Sequence, residues 1–514
     1  MSEVRVRMAP SPTGYLHIGG LRTALYDFLL ARQNNGKFIV RIEDTDQSRF
    51  VAGSLENIVE TFADFKLHPD EGLYWDNGVK EKGEFGPYLQ SKRLDIYKKY
   101  TQELLDKKAA YPCFCSKERL EELRNQQTLA KHPPKYDKHC LNLSADEIAK
   151  KLSSGQPHVV RLNIMPGRKV SFTDEVHGLI EVSTNDLDDQ VLLKSDGFPT
   201  YHLAMVVDDY LMKISHVIRG DEWIPSTPKH ILLYEAFGWP LPKFVHLPLL
   251  LSKTHKKLSK RDGDVSVKEF VENGYLPEAL LNFVAFLGWN PKTEQEKFTL
   301  TELVEQFSLE KVNKAGAVFD LEKLDWLNGV YIRDLKHEEL FARIVPFLVK
   351  ANLPYDKYPK EFTEKVLLLE QGRLKKLSEI GDRVKYFYED PVYDPAILVR
   401  PPSRKAMAGP PKLHAQEEKK SNKEAIVKSL NALQLFLQSL PPDQFKKENL
   451  ETEIKKFIES NGLKTGEVLW PLRVALSGLE ASPGPFEIMD AFGALPNGKE
   501  IILGRVNKAL EKLF

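Results

Sequence analysis

The N-terminal segment carries a strand–helix–strand pattern, and this pattern constrains the fold of the chain more than any other feature. Val4, Val6 and Met8 alternate with arginines, and this period of two predicts a short strand. Apolar residues then recur at helical spacing over 17–32, and the apolar run 38–42 predicts a second, buried strand. Two strands joined by a helix form a βαβ unit, so we expect a parallel sheet whose ligands bind at the carboxyl ends of its strands.

The remaining patterns predict an interrupted sheet domain followed by helices. Strand-like runs return at 214–218 and 244–247, after a segment of mixed short patterns that holds all three cysteines. We therefore predict an α/β fold with a Rossmann-like parallel-sheet domain, an inserted α/β domain and an all-α C-terminal region. The predicted boundaries are 1–100 and 194–252 for the two halves of the sheet domain, 101–193 for the insertion, 253–326 for a helical domain with a basic loop, and 327–400 and 401–514 for two further helical domains. The proline-rich segment 400–411 predicts a linker.

The charges and the cysteines limit the classes of protein to which the chain can belong. Lys plus Arg and Asp plus Glu both total 73, which excludes a uniformly basic nucleic-acid coat but leaves room for a local basic patch. Three cysteines cannot form a disulfide framework, and they favour a reducing compartment. No apolar run reaches the ~20 residues of a membrane span, and the first residues lack the apolar core of a secretory signal. We expect a monomer in the cytoplasm, or in an organellar matrix if a transit peptide has been removed, without membrane contact.

Two motifs have the composition of phosphate-binding segments. The first places His17, Gly19 and Gly20 where a Pro/Gly loop meets the predicted helix, and a helix N-terminus favours an anion. The second is the basic segment Lys257, Leu258, Ser259, Lys260 and Arg261. Its cations can neutralise charge on a triphosphate. Each motif also has a plainer interpretation, because a histidine after a loop is often a turn residue and a basic loop is often only solvated.

The cysteines form a pattern typical of metal ligands. Cys113 and Cys115 are separated by one residue, and Cys140 follows after a polar stretch. Three thiolates are three of the four ligands that a tetrahedral zinc site needs. The alternative is a group of three reduced cysteines beside a hydrophobic cluster.

Taken in order, the motifs resemble those of the class I aminoacyl-tRNA synthetases, whose signatures are a His-x-Gly-His loop and a Lys-Met-Ser-Lys-Ser loop. The chain is most similar to the glutamyl-tRNA synthetases of the bacterial and organellar type. The similar segments are RMAPSPTG (7–14), RIEDTD (41–46), KSDGFPTYHLA (194–204), VIRGDEW (217–223) and FDLEKL (319–324). The similarity is weaker beyond about residue 333, although WPLRVALSG (470–478) again resembles the family. The chain departs from the signatures at Gly20, where the first has histidine, and at Arg261, which ends the second; Met205 stands where this branch often has a polar or small residue.

This resemblance implies an enzyme that activates glutamate with ATP and Mg²⁺ and then transfers it to the 3′ end of tRNA. ATP would lie against His17, Gly19, Gly20, Glu222 and the basic segment 257–261. The insertion would bind the tRNA acceptor end, 253–326 would contact the stem, and the two last helical domains would bind the anticodon. Glutamyl enzymes of this type resemble one another in needing bound tRNA before activation.

Glutamate carries two carboxylates and one ammonium group, so its site needs cations and an anion. The resemblance and this chemistry together assign the side-chain carboxylate to Arg219 in a bidentate fork, a second cation to Arg7, and the ammonium group to Glu43. The resemblance completes this site with Ala9, Ser11, Tyr201 and His202. We interpret Arg41 as a member of a surface ion pair.

The resemblance also bears on the cysteines, since related enzymes carry a zinc ion in the inserted domain. Tyr136 stands four residues before Cys140, a spacing that the family uses for a tyrosine ligand. We therefore predict Cys113, Cys115, Tyr136 and Cys140 as the zinc ligands, with His139 as the substitute for Tyr136.

Several other functions share part of this pattern. A glutaminyl-type synthetase would have β-barrels where this chain predicts helices, and Arg219 favours a carboxylate. A truncated paralogue that glutamylates a modified tRNA base would lack the region after about Leu327. A small-molecule nucleotidyltransferase would not need that helical region. An inactive tRNA-binding scaffold would not need the four residues His17, Lys260, Glu43 and Arg219 together.

Overall fold

The structure, a computed structural model, describes residues 3–258, 266–399 and 415–513, and in the last range it describes side chains from 423 onward. It divides into two compact units, one formed by 1–272 and 277–324 and the other by 273–276 and 325–514. Ser259, Lys260 and Arg261 of the basic segment, and the predicted linker 400–411, lie outside the described residues.

The first unit contains parallel sheets flanked by helices. Its strands are β1 Arg5–Met8, β2 Lys37–Val40, β3 Glu71–Trp75, β4 Val79–Lys82, β5 Ala110–Cys113, β6 Val159–Leu162, β7 Lys169–Asp174, β8 Gly178–Ser183, β9 Val191–Leu193, β10 His216–Gly220, β11 Lys243–Leu247, β12 Leu250–Leu251 and β13 Ala317–Val318. Its helices are α1 Ile18–Gln33, α2 Ser54–Asp64, α3 Leu94–Asp106, α4 Lys117–Leu129, α5 Ala145–Ser153, α6 Tyr201–Leu211, α7 Thr227–Phe237, α8 Val267–Glu272, α9 Pro277–Ala285 and α10 Leu300–Gln306.

The predicted βαβ unit is present as β1, α1 and β2. The two strands pair in parallel, β3 adds a third parallel strand, and β4 closes this sheet in the antiparallel sense. Leu21, Leu25 and Leu29 of α1 are completely buried, because they form the apolar face that the helical spacing predicts. The first strand also lies beside β10, since the amide of Ser215 donates to the carbonyl of Arg5 at 2.9 Å.

A second sheet has the strand order β10-β11-β7-β8, in which β10, β11 and β7 are parallel and β8 is antiparallel. The strands β7 and β8 fall within 101–193 of the sequence but pair with the strands that follow that segment. Elsewhere in the segment, β5, β6 and β9 form a separate antiparallel sheet. Parallel sheets flanked by helices in the first unit fit the predicted α/β fold.

The second unit is helical throughout its described residues apart from connecting turns. Its helices are α11 Leu321–Arg333, which begins at the end of the first unit, α12 His337–Lys350, α13 Lys360–Gln371, α14 Ile380–Tyr388, α15 Ala415–Ser439, α16 Lys447–Ser460, α17 Thr465–Ser477, α18 Pro485–Gly493 and α19 Gly498–Leu513. This confirms the predicted all-α C-terminal region and, with the parallel sheets, the predicted fold class. Among the described residues, no helix is both long and apolar enough to span a membrane.

Candidate active site

The loops that leave β1 and β2 remain hydrogen-bonded to each other beyond the strands. The amide of Arg41 donates to the carbonyl of Met8 at 3.0 Å, and the amide of Glu43 donates to the carbonyl of Pro10 at 3.0 Å. These bonds hold Glu43 close to Arg7, near the carboxyl end of β1. Parallel strands bind ligands at this edge, so the structure places both predicted residues where a substrate site is expected.

His17 is the N-cap of α1. Its Nδ1 accepts a hydrogen bond from the amide of Gly20 at 3.1 Å, so a neutral ring carries its proton on Nε2 and presents an N–H donor. A Cβ atom on Gly19 would lie 3.0 Å from Cε1 of the same ring, and one on Gly20 would lie 2.8 Å from Cδ1 of Leu16. Both glycines therefore allow this close packing, and a histidine at position 20 would have to displace Leu16.

Four charged side chains form a buried network between β1, β2 and α6. Asp209 accepts hydrogen bonds from Nε of Arg7 at 3.0 Å and from Nη1 of Arg41 at 2.8 Å. The Nη2 of Arg41 donates to Oε1 of Glu43 at 2.9 Å. These charges compensate one another in a region closed to water, where Asp208 adds a further carboxylate 3.8 Å from Arg41.

The network fixes the charge states of its members. Although burial acts in the opposite direction, Arg7 and Arg41 hold the pKa of Asp209 below its usual value. Burial raises the pKa of Glu43, and the neighbouring Arg41 reduces this shift. Arg41 is fully buried and pairs with Asp209 at 2.8 Å, so its interpretation as part of a surface ion pair is wrong.

Arg219 is buried in the same region but bonds only to uncharged groups. Its Nη1 donates to the hydroxyl of Tyr201 at 2.9 Å, and its Nη2 donates to Oγ1 of Thr227 at 2.8 Å and to Nδ1 of His230 at 3.3 Å. Its Nε donates to Nε2 of His246 at 3.1 Å. Among the described residues, no carboxylate forms an ion pair with this guanidinium, which is only 6 % exposed.

The charges of Arg219, Glu43 and Arg7 all act on the hydroxyl of Tyr201. Burial raises the pKa of this hydroxyl. The charges of Arg219 and Arg7 reduce this rise, whereas the charge of Glu43 adds to it. Nη1 of Arg7 donates at 3.4 Å to the carbonyl of Ile218, the neighbour of Arg219 in the chain. The structure therefore brings Arg7 close to Arg219 and Tyr201, while Arg41 and Asp209 connect Arg7 to Glu43.

The other predicted glutamate-site residues are less central. Ala9 is half-buried and Ser11 is exposed, in the loop that follows β1. His202 hydrogen-bonds through Nδ1 to Nε2 of His230 at 2.9 Å, and burial lowers the pKa of His202 to about 4, so its ring is neutral. Met205 is fully buried in the apolar core beside α6, which explains why a polar residue is absent there.

The predicted ATP-site residues Glu222 and Lys257 lie near each other on the surface of this unit. Glu222 belongs to the short helix Asp221–Ser226, and its Oε1 is 3.8 Å from Nζ of Lys257. The amide of Leu258 donates to the carbonyl of Leu250 at 2.8 Å. This bond fixes the start of the basic segment beside β12, which pairs with β13 in a small two-stranded sheet.

The three thiols and the hydroxyl of Tyr136 converge in the predicted insertion. The sulfur atoms of Cys113, Cys115 and Cys140 all lie within 4.8 Å of one another. The Tyr136 hydroxyl is 3.3 Å from Sγ of Cys113 and 3.4 Å from Sγ of Cys115, and it accepts a hydrogen bond from the amide of Cys140 at 2.9 Å. His139 is exposed, and its ring is not a member of this group.

Two family models match the chain. The model described as "tRNA synthetases class I (E and Q), catalytic domain" matches residues 3–326, and the model described as "Anticodon binding domain" matches residues 339–510. The chain belongs to the class I tRNA synthetases.

Relatives and solved structures agree with this assignment. The chain is 43 % identical over 516 residues to the glutamate–tRNA ligase of Finegoldia magna, with 100 % of both chains covered. It is 50 % identical over 397 residues to that of Clostridioides difficile, which covers 76 % of this chain and 80 % of the relative. The crystal structure of glutamate–tRNA synthetase from Elizabethkingia anophelis superposes with a TM-score of 0.85 at 37 % identity, covering 99 % of this chain and 100 % of that one. A glutamate tRNA ligase from Elizabethkingia meningosepticum, crystallised in complex with its amino acid, gives a TM-score of 0.82 at 36 % identity over 100 % of both chains.

Sequence reasoning missed several residues that shape the site of this synthetase. Asp209 follows an apolar run in α6, and His246 lies within the apolar strand β11. An ionisable residue in an apolar run indicates a buried side chain that pairs with another polar group. Asp174 and Thr227 carry no comparable signal. Asp174 contributes because β7 pairs with β11, and Thr227 contributes because α7 brings its hydroxyl within 2.8 Å of Arg219. The sequence reveals neither contact.

Proposed function

We propose that this synthetase attaches L-glutamate to the 3′ end of tRNA in two steps. In the first, a glutamate carboxylate oxygen attacks the α-phosphorus of ATP, which forms glutamyl-adenylate and releases pyrophosphate. In the second, a hydroxyl of the terminal ribose attacks the activated carbonyl and releases AMP. The observation that carries the choice of amino acid is Arg219, a buried cation whose described partners are all uncharged. We call the site formed by Arg7, Glu43, Tyr201 and Arg219 the glutamate pocket.

The pocket has one group for each charge of glutamate. Arg219 receives the side-chain carboxylate, together with the hydroxyl of Tyr201. Arg7 receives the other carboxylate through Nη2, which forms no hydrogen bond with the described residues, while its Nε remains on Asp209. Glu43 receives the ammonium group through Oε2, since Arg41 occupies Oε1.

Catalysis of the first step then rests on position and on charge neutralisation rather than on a general base. The N-terminus of α1, with His17 as its N-cap, favours an anion, which supports placing the ATP phosphates there. Lys257 adds a cation, and the resemblance adds Ser259, Lys260 and Arg261. Mg²⁺, when bound to the phosphates, supplies further neutralisation of their charge.

The residues favour glutamate over the rival functions. A glutamine pocket would not need an unpaired buried guanidinium, because a carboxamide is neutral. The match to the anticodon-binding model over 339–510 argues against the truncated paralogue, which lacks that region. The described residues of 325–513 form no strands, which argues against the β-barrels of a glutaminyl-type enzyme. The assignment of separate domains to the acceptor end, the stem and the anticodon of tRNA stays a prediction. The monomeric state and the cytoplasmic location also stay predictions.

ATP–pyrophosphate exchange tests this function directly. We expect exchange with glutamate only when tRNA is present, and no comparable exchange with glutamine at the same concentration. Aminoacylation of total tRNA with labelled glutamate should give the same preference. Exchange without tRNA would favour the paralogue chemistry, and exchange that prefers glutamine would contradict the assignment of Arg219.

We further propose that Cys113, Cys115, Cys140 and Tyr136 hold a zinc ion that shapes the inserted domain. Ligands placed ~2.3 Å from a tetrahedral zinc ion are about 3.8 Å apart, which agrees with the spacing of the donor atoms here. The separation between the sulfur atoms of Cys115 and Cys140 is 3.5 Å. Tyr136 is preferred to His139 because its oxygen already lies among the sulfur atoms.

Metal analysis of the purified chain should therefore find about one zinc ion per molecule. Tyr136→Phe should weaken zinc binding about 10–100-fold in competition with a chelator, because it removes one of four donors. Tyr111→Phe is the matched control, since this buried tyrosine bonds to Asp189 at 2.7 Å and not to the sulfur atoms. A wild-type chain without zinc, or a Tyr136→Phe variant that binds zinc like the control, would contradict the proposed ligand set.

A further inference from the structure

Asp174 and His246 form a buried pair behind Arg219. Arg219 in β10 and His246 in β11 are direct neighbours in the parallel register, and Asp174 ends β7 on the other side of β11. Oδ2 of Asp174 lies 2.6 Å from Nδ1 of His246, and both side chains are completely buried. The amides of Val176 and His177 also donate to Asp174, at 3.0 and 2.9 Å, so this carboxylate cannot rotate freely.

The carboxylate fixes the direction of the hydrogen bonds in this chain of residues. An ionised carboxylate only accepts, so His246 must carry a proton on Nδ1 and leave a lone pair on Nε2. That lone pair accepts the Nε–H of Arg219 at 3.1 Å. With the proton on Nε2 instead, Nε2 could bond only to an acceptor such as Oγ1 of Thr227 at 3.2 Å, and the bond from Nε of Arg219 would be lost.

Held in this way, Arg219 presents a single donor to the pocket. A guanidinium has five N–H groups, and His246, Tyr201, Thr227 and His230 take four of them. The remaining N–H is on Nη1, the nitrogen that also bonds Tyr201. The bidentate fork that the sequence analysis expected from Arg219 alone is therefore unavailable.

Tyr201 supplies the second donor beside that N–H. Its oxygen accepts from Arg219, and among the described residues nothing accepts its own proton. A ligand group that meets both donors must offer two acceptor oxygens. A carboxylate does so. A carboxamide has only one acceptor oxygen, so its NH₂ group would face the second donor and form no hydrogen bond with it.

We propose that Asp174 and His246 are positioning residues that make the pocket select a carboxylate over a carboxamide. They act through Arg219, whose guanidinium they orient so that its last N–H and the Tyr201 hydroxyl converge on one ligand group. This inference rests on the proposed function, in which that ligand group is the side-chain carboxylate of glutamate.

The test compares variants of Asp174 and His246 in tRNA-dependent exchange. Asp174→Asn can donate to Nδ1 of His246 and so allow the proton to move to Nε2, where it opposes Arg219. We expect the KM for glutamate to rise about 10–100-fold, the KM for ATP to stay within about twofold, and the preference for glutamate over glutamine to fall. His246→Leu should behave in the same way, and His246→Gln should recover much of the loss because its side-chain oxygen can accept from Arg219.

His216→Gln is the matched control, because this half-buried histidine lies in β10, the strand of Arg219, but bonds to Ser215. It should leave both KM values and the preference unchanged. A merely structural role would lower thermal stability without changing the ratio of the two KM values, and that outcome would overturn the proposal. So would a His246→Leu variant with the wild-type preference. Failure of the wild-type protein to activate glutamate at all would instead overturn the proposed function.

Discussion

Replacing Arg219 with alanine should reduce kcat/KM for glutamate about 10³-fold while changing the KM for ATP by no more than about twofold. The substrate carboxylate would enter a buried site without its cation, and an unpaired buried charge costs ~3–5 kcal/mol. The variant should also lose most of its preference for glutamate over glutamine, because that preference depends on the positive charge. Steady-state exchange in the presence of tRNA, with each substrate varied in turn, measures these effects.

Arg22→Ala provides a matched control for this experiment. Arg22 is also buried in the first unit, and its guanidinium bonds to the carbonyls of Pro248 and Leu287 rather than to a carboxylate. Its removal should lower stability without a selective rise in the KM for glutamate. If Arg219→Ala raised both KM values equally, Arg219 would not be the carboxylate-binding residue.

Asp209→Asn should produce the second large effect, a loss of about 3–5 kcal/mol in the stability of the first unit. The substitution preserves the size of the side chain but removes the carboxylate that pairs with both cations. Arg7 loses its ion pair, and Arg41 keeps Glu43 at 2.9 Å and Asp208 at 3.8 Å. Calorimetry measures the loss, and the transition of this unit is recognised by its upward shift when ATP is added. Glu103→Gln is the control, because it removes an exposed ion pair with Lys107 and should cost under about 1 kcal/mol.

The effect of Asp209→Asn should depend on pH in a defined direction. The pKa of Asp209 is lower in the folded chain than its usual value, because Arg7 and Arg41 outweigh burial. Its stabilisation is therefore complete above the unfolded pKa of ~3.9 and is lost as the pH falls through the lower folded pKa. The difference between wild type and variant should accordingly shrink in strong acid. A difference that stayed constant would show that the charge of Asp209 is not what stabilises the network.

Several site residues were predictable from local signals, although their contacts were not. The strand ends at Arg7, Glu43 and Arg219 follow from alternation and apolar runs, and the edge where parallel strands end is a general ligand site. The sequence nevertheless misread Arg41, because two residues before Glu43 on a short strand it looks like any exposed arginine. Its burial depends on Asp209, which lies far along the chain.

The sequence by itself determined the first βαβ unit, the strands near 214–218 and 244–247, the helical C-terminal region and the residue types that suit glutamate and ATP. These structural features follow from periodicity, because the spacing of apolar residues along the chain shows which face of a strand or helix is buried. Only the tertiary structure decided that Arg219 bonds to uncharged partners, and that Asp174 and His246 stand behind it. These contacts join strands and helices that are distant in sequence, and burial removes the water that would otherwise screen and satisfy their charges.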